Sequence, residues 1–167
     1  DTFSSRGLGD VYKRQCLCNV TSTEEVNEMI LKASDCLETI DVLVNNAGLG
    51  GQNSLEEMPD DVWNNIIDVT LNGTMRVMRA SIPYLKKTQG VVVNNASVLG
   101  WRAQKDQTHY AAAKAGVMAL TRCTAVELAE YNIRVNAVAP SLALNPHLSK
   151  TSSDELINTL INKEVLG

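Results

Sequence analysis

The sequence has no basic excess: Lys and Arg number 15 against 19 Asp and Glu, for a net charge of −4. Without a basic stripe to lie along a phosphate backbone, nucleic acid is excluded as an expected partner. Long apolar runs are absent too. The longest are strand-sized, so no membrane span is expected, and no charged stretch followed by an apolar signal core is visible. Cysteine and histidine are scarce, at four and two. No C-x-x-C spacing occurs, and Cys16 and Cys18 have too few histidines to complete a metal site, so no metal is expected. That pair reads instead as the alternation of a buried strand, with reduced thiols of a cytoplasmic protein. Internal repeats and low-complexity linkers are missing as well.

What is present is ample for a core. The chain has 167 residues, 44% hydrophobic and 20% charged, which suits one ordinary domain. "CLCNV" (16–20) reads as a strand, followed by a helix with Thr21 or Ser22 as N-cap and Glu24 or Glu25 completing a capping box. Its apolar face runs through Val26, Met29, Ile30, Ala33 and Leu37. "IDVLVNNAG" (40–48) is a second strand. A helix opened by Pro59 continues through Val62, Ile66, Val69, Gly73, Val77 and Ala80, with Pro83 bending or ending it. "GVVVNNAS" (90–97) is a third strand, the alanine-rich stretch 110–130 a helix closed by Asn132, and "IRVNAVAP" (133–140) a fourth strand. "TSSDELINTLINKEV" (151–165) closes the pattern as a short amphipathic helix. Strands apolar on both faces, alternating with helices, predict an α/β fold with a parallel sheet covered on both sides.

The chemistry concentrates in "ASVLGWRAQKDQTHYAAAKAG" (96–116). Tyr110 and Lys114 stand at i and i+4 and share a helix face. An ammonium beside a phenol favours the phenolate and lowers its pKa from about 10, and a tyrosine so tuned passes a proton near neutral pH. Ser97 ends the preceding strand, where α/β sheets place ligand-binding groups. Its hydroxyl is placed to hold a reacting oxygen beside Tyr110.

These residues, with "NNAG" (45–48) before them and "IRVNAVAP" after, resemble the short-chain dehydrogenase/reductase family. Ser97 lies thirteen residues before Tyr110, the spacing of its ketoacyl-carrier-protein reductase branch. The resemblance covers residues 16–167 and implies a Rossmann-like, doubly wound, three-layer α/β/α domain. It also implies hydride transfer between NAD or NADP and a carbonyl or secondary alcohol carbon. Tyr110 would be the general acid or base. Lys114 would tune it and hold the nicotinamide ribose, and Ser97 would orient the reacting oxygen. The implied cofactor contacts are Asn19 and Val20 (toward adenine), Asn46, Ala47, Gly48, Tyr110 and Lys114, with Pro140 and Asn145 from the loop "PSLALNP" (140–146). "DVTLNGTMRVMRA" (68–80) together with 100–123 looks like a bacterial steroid-degradation branch acting on ring-derived CoA thioesters. Family members usually pair through two long helices, here 60–86 and 110–130, into homodimers or homotetramers.

The chain departs from the family pattern at several points. Thr70 stands where the family has a catalytic asparagine. Asn72 is two residues on, about 200° around a helix, and points elsewhere. Thr70 either holds a water in that asparagine's place or bonds back to its own helix. Ser141 replaces a family glycine, Asn145 a threonine, and Asn19 an aspartate. Asn94 and Asn95 read as hydrogen-bonding residues of the core. Trp101, Arg102, Gln104, Lys105 and His109 lie in the segment that borders substrate in the family. Arg102 and Lys105 there either meet thioester phosphates or stay solvated. His109 and His147 carry no expected metal role.

A glycine-rich pyrophosphate turn is not found. Gly7-Leu8-Gly9 lacks an apolar strand before it, and fifteen residues are too few for the βαβ unit of roughly 30 residues that carries such a turn. "DVYKRQ" (10–15) back-translates to GAT GTG TAT AAG AGA CAG, which resembles the transposon end of sequencing adapters, and Ser5 to Gly9 resemble the rest of such an adapter, so residues 5–15 read as translated adapter. Residues 1–15 are therefore expected to be a non-native leader, and 16–167 a domain truncated at both ends that by itself binds cofactor poorly. Choice between NAD and NADP rests on a second strand not seen in the sequence. A non-catalytic binding protein of the same shape is the alternative raised by Thr70. The extended epimerase branch fits "NNAG" and "IRVNAVAP" less well.

Overall fold

A computed structural model describes residues 14–141 together with Ile161. Residues 1–13, the loop residue Asn145, His147 and most of the final stretch expected to be an amphipathic helix lie outside the described residues. The described chain runs α1 (Thr23–Leu37), β1 (Val42–Asn45), α2 (Asp60–Ile67), α3 (Gly73–Thr88), β2 (Val91–Asn95), α4 (Thr108–Leu128) and β3 (Arg134–Val138). The three strands form one parallel sheet in the order β1-β2-β3.

Local chemistry explains most boundaries. Ser22 is the N-cap of α1 and its Oγ accepts from the Glu25 amide at 3.2 Å. Glu25 reaches further back than a capping box requires, accepting from the Asn19 amide at 2.8 Å. The chain leaves α3 through Gln89 and leaves the turn after α4 through Asn132, both left-handed, as expected for Asn132. Pro83 does not end its helix: α3 continues to Thr88. The carbonyl deprived of its donor belongs to Arg79, an exposed residue.

Parallel strands joined by right-handed crossovers that all advance in one direction place their helices on one face. On that face Val92 and Val135 meet Val77, Met78 and Leu85 of α3, Leu128 of α4, and Val26 and Ile30 of α1. The opposite face carries Val42, Val44 and Val138, each more than half exposed. The open face is thus apolar on β1 as read but carries Arg134 and Asn136 on β3, and the described residues supply a helical layer on one face only.

The strand expected over 16–20 is absent. Cys16 and Leu17 are exposed, Cys18 is half-buried, and the segment has no β partner among the described residues. An extended segment without a neighbour gains no ladder, so this one turns instead. Asn19 Oδ1 accepts from the Thr21 amide at 3.1 Å and its hydroxyl at 2.9 Å. No described helix is long and apolar enough to cross a membrane.

Candidate active site

The register brings two pairs of asparagines side by side at the carboxyl ends of β1 and β2. On the covered face Asn45 Nδ2 donates to Asn94 Oδ1 at 2.8 Å, and Asn94 Nδ2 donates to Thr121 Oγ1 of α4 at 2.9 Å. Thr121 in turn donates to the Val117 carbonyl at 2.7 Å. All three residues are buried, so this chain ties both strands to α4 without leaving their amides unpaired. On the other face Asn95 Nδ2 donates to Asn46 Oδ1 at 2.7 Å, while Asn95 Oδ1 is buried with no partner among the described residues.

Beyond β2 the ladder persists: the Ala96 amide donates to Val138 O and the Val98 amide to Pro140 O. Ser97 therefore leaves the sheet in a fixed direction. Its Oγ accepts from the Leu99 amide at 3.2 Å and caps a short 3-10 turn over Val98–Gly100. That turn presses on α4 at Gly100, where a Cβ would stand 2.7 Å from the Met118 sulfur and methyl and 3.3 Å from the Ala115 nitrogen. A side chain there would displace the end of Met118 and crowd the α4 backbone.

Tyr110 sits in the first turn of α4 and Lys114 one turn later. The Ser97 side chain neighbours the Tyr110 phenol. Burial pushes the Tyr110 phenol above its ordinary pKa, and the hydrogen bond from Ser97 opposes the rise. Lys114 is buried, its pKa lowered by desolvation, and its Nζ donates to the Asn95 carbonyl at 2.6 Å. Nζ stands 5.6 Å from the Tyr110 ring centroid. The expected lowering of Tyr110 by Lys114 is thus not realised in this arrangement. The ammonium is directed at a carbonyl, and desolvation of the phenol prevails.

Thr70 lies in a π-helical turn, Asp68–Asn72, inserted between α2 and α3. Such turns are rare and frequent at functional sites. Thr70 is almost fully buried; its Oγ1 accepts from the Leu49 amide at 3.0 Å and stands 3.3 Å from the Leu49 carbonyl. It therefore bonds across to the loop after β1 and does not fold back on its own helix. Asn72 points elsewhere as expected, donating to Asp68 Oδ1, which also pairs with Arg76 at 2.7 Å.

The remaining candidates separate. Asn46, Ala47 and Gly48 are exposed at the end of β1. A Cβ on Gly48 would stand 3.6 Å from both Lys114 Nζ and Thr70 Oγ1, so these three residues converge. Val20 is drawn to the start of α3, where its carbonyl accepts from Arg76 and its side chain fits against Gly73. Asn19 is exposed with its side chain engaged by Thr21, and Pro140 is exposed. Trp101, Arg102 and Lys105 are exposed in the loop between Ser97 and α4. No cluster of metal-ligating side chains occurs among the described residues. A hollow of about 330 Å³ between α1 and α3, lined by Leu31, Ile40 and Thr88, lies at the opposite end of the strands.

Two residues named in the sequence take places it did not announce. Asn95 orients Lys114 through its main chain, which no side-chain motif announces. His109 is fully buried, with both ring nitrogens unpaired among the described residues. Its burial depends on the loop after β1, distant in sequence. Desolvation holds the imidazole below its ordinary pKa; the Gln107 backbone opposes this weakly, without a hydrogen bond of usable geometry. Unfolded histidine gains its proton near pH 6.5 while the folded imidazole stays neutral, so the unfolded state binds more protons as pH falls below that value. Stability toward urea should therefore be insensitive to His109 above about pH 6.5 and decline below it, a decline that His109→Leu should reduce.

A family model described as short chain dehydrogenase matches residues 12–156. A Mycobacterium tuberculosis protein, (5R,7aS)-5-hydroxy-7a-methyl-1-oxo-2,3,5,6,7,7a-hexahydro-1H-indene-carboxyl-CoA reductase, is 52% identical over 99% of this chain and 63% of its own length. A 3-oxoacyl-acyl-carrier-protein reductase of Thermotoga maritima is 42% identical over 79% of this chain and 54% of its own. Among solved structures, a short chain dehydrogenase from Mycobacterium smegmatis superposes with a TM-score of 0.74 at 55% identity, covering 77% of this chain and 53% of that one. Carveol dehydrogenase from Mycobacterium avium, in complex with NAD, gives 0.74 at 34% identity, covering 78% and 48%. The chain thus spans 48–63% of the length of these relatives. With a parallel α/β sheet, a Ser–Tyr–Lys set at its carboxyl edge and a family match over most of its length, the chain belongs to the short-chain dehydrogenase family.

Proposed function

We propose that the full-length protein is an NAD(P)-dependent oxidoreductase interconverting a secondary alcohol and a ketone. The observation that carries this reading is the meeting of Ser97, Tyr110 and Lys114 beyond the carboxyl end of β2. Parallel sheets bind ligands at that edge. Tyr110 is the group that exchanges a proton with the reacting oxygen, and Ser97 orients that oxygen through a second hydrogen bond. A phenol with a raised pKa retains its proton at neutral pH and is suited to act as the acid in ketone reduction. In the alcohol-oxidising direction the same group would have to be ionised first.

The residues present fit the nicotinamide end of a dinucleotide. Asn46, Ala47 and Gly48 are open at the strand end, Gly48 brings no side chain between the crevice and Lys114, and Asn95 Oδ1 lacks a partner there. When bound, the cofactor supplies or accepts the hydride. Lys114, held by Asn95, would take the ribose hydroxyls, and Pro140 and Asn145 would border the carboxamide. Asn19 and Val20 would lie toward adenine. Thr70, with its hydroxyl on Leu49, holds the loop beside Lys114 in place of the family's asparagine.

For the substrate we propose the ketone of a ring-bearing CoA thioester, in line with the name of the Mycobacterium tuberculosis relative at 52% identity. Exposed Arg102 and Lys105 flank the approach to Ser97. A homodimer or homotetramer paired through α3 and α4 is the expected assembly, in a cytoplasmic protein; Val126 of α4 is 79% exposed, a surface such pairing would cover. The test is NAD(P)H oxidation by the full-length protein with ring-ketone CoA thioesters and, in parallel, a 3-oxoacyl-carrier thioester. Turnover with the first class supports the reading, preference for the second moves it to the carrier-protein branch, and turnover of neither refutes it.

A further inference from the structure

The loop from β1 to α2 crosses the site in strict order. A Cβ on Gly48 would face Lys114 and Thr70, and Leu49 bonds Thr70. A Cβ on Gly50 would stand 3.8 Å from Tyr110 Cδ2, and one on Gly51 3.6 Å from His109 Nε2 and 3.8 Å from Ile66 Cδ1. Gln107 Nε2 donates to the Gly51 carbonyl at 2.7 Å, and the Asn53 amide donates to the Asp106 carbonyl at 3.0 Å. Successive loop residues thus rest on Lys114, Thr70, Tyr110, His109, Gln107 and Asp106.

Three local costs converge on this contact. Gln107 occupies the N-cap position of α4 yet makes no capping bond, and its Nε2 is committed to the loop. Asp106 adopts a left-handed conformation, φ 63°, without being glycine. His109 is buried with neither nitrogen paired among the described residues. Features that each disfavour the fold, gathered beside a reactive tyrosine, are expected where position matters more than stability.

We propose that Gln107 and His109 are positioning residues that seat the loop of residues 48–53 against the ring of Tyr110 and the ammonium of Lys114. They touch no reacting atom. Gln107 anchors the loop by its carbonyl, and the flat His109 ring fills the space beneath Gly51. The loop edge at Gly50 then limits how far the Tyr110 ring can turn.

The inference rests on the proposed oxidoreductase reading for its kinetic arm only. In the full-length protein, Gln107→Leu should accelerate amide exchange at Leu49 and Asn53 by about tenfold or more. It should also lower kcat by about tenfold with KM changed less than about twofold, because binding survives while the ring is misplaced. His109→Leu, which removes two unpaired nitrogens at similar volume, should leave the urea midpoint unchanged or raised while kcat falls. Unchanged exchange and kcat in Gln107→Leu overturn the proposal. So does a His109→Leu variant that keeps its kcat, or one whose stability falls, since a fall marks an ordinary core residue. If the wild-type protein turns over no ketone, the functional reading fails, and the exchange and stability measurements still decide this one.

Discussion

Tyr110→Phe in the full-length protein is expected to reduce ketone turnover by roughly three orders of magnitude, about 4 kcal/mol of barrier. Phenylalanine retains the ring that packs on Gly50 and the apolar contacts in the first turn of α4. What disappears is the one hydroxyl that meets Ser97. Lys114 keeps its bond to the Asn95 carbonyl, so the crevice at the end of β1 stays intact. Cofactor affinity should accordingly change little while kcat collapses, and steady-state kinetics with a fluorescence titration of the dinucleotide separates the two. A variant with wild-type turnover would mean that the proton comes from another group, and the assignment would be lost.

Asn94→Leu should destabilise the fold by about 2–4 kcal/mol, read as a shift of the urea midpoint. Leucine is close to asparagine in reach but cannot bond. Asn45 Nδ2 would lose its acceptor and Thr121 Oγ1 its donor, both inside the core. A buried donor left unpaired costs more than the bond that held it. Asn46→Ala, at an exposed position just past the end of β1, should by comparison stay within about 0.5 kcal/mol. Equal effects at the two sites would show that the Asn45–Asn94–Thr121 chain adds no stability.

The regular elements were legible because each is written in short-range terms. Ser22 and Glu25 start α1, Asn132 takes the left-handed turn after α4, and the valine runs of β1 and β2 alternate with helical stripes. The errors fall where a segment's fate depends on a neighbour distant in sequence. Residues 16–20 have strand composition but no described strand to pair with. Pro83 lies inside α3, which continues to Thr88, with the carbonyl it frees on the exposed residue Arg79. The π turn over Asp68–Asn72 has no composition of its own; it shows only where the chain must bring Thr70 to Leu49.

The candidate site divides in the same way. The i,i+4 spacing of Tyr110 and Lys114 determines that they share a helix face, and the position of Ser97 at a strand end determines that it lies at the ligand-binding edge, since both follow from backbone periodicity alone. Periodicity does not say what a side chain meets across the fold. Lys114 turns to the Asn95 carbonyl, Thr70 reaches the loop, Gln107 holds Gly51, and His109 is sealed beneath that glycine. Those outcomes, and the raised pKa of Tyr110, were decided only by tertiary packing, because desolvation and long-range hydrogen bonds exist only once the loop after β1 has closed over the first turn of α4.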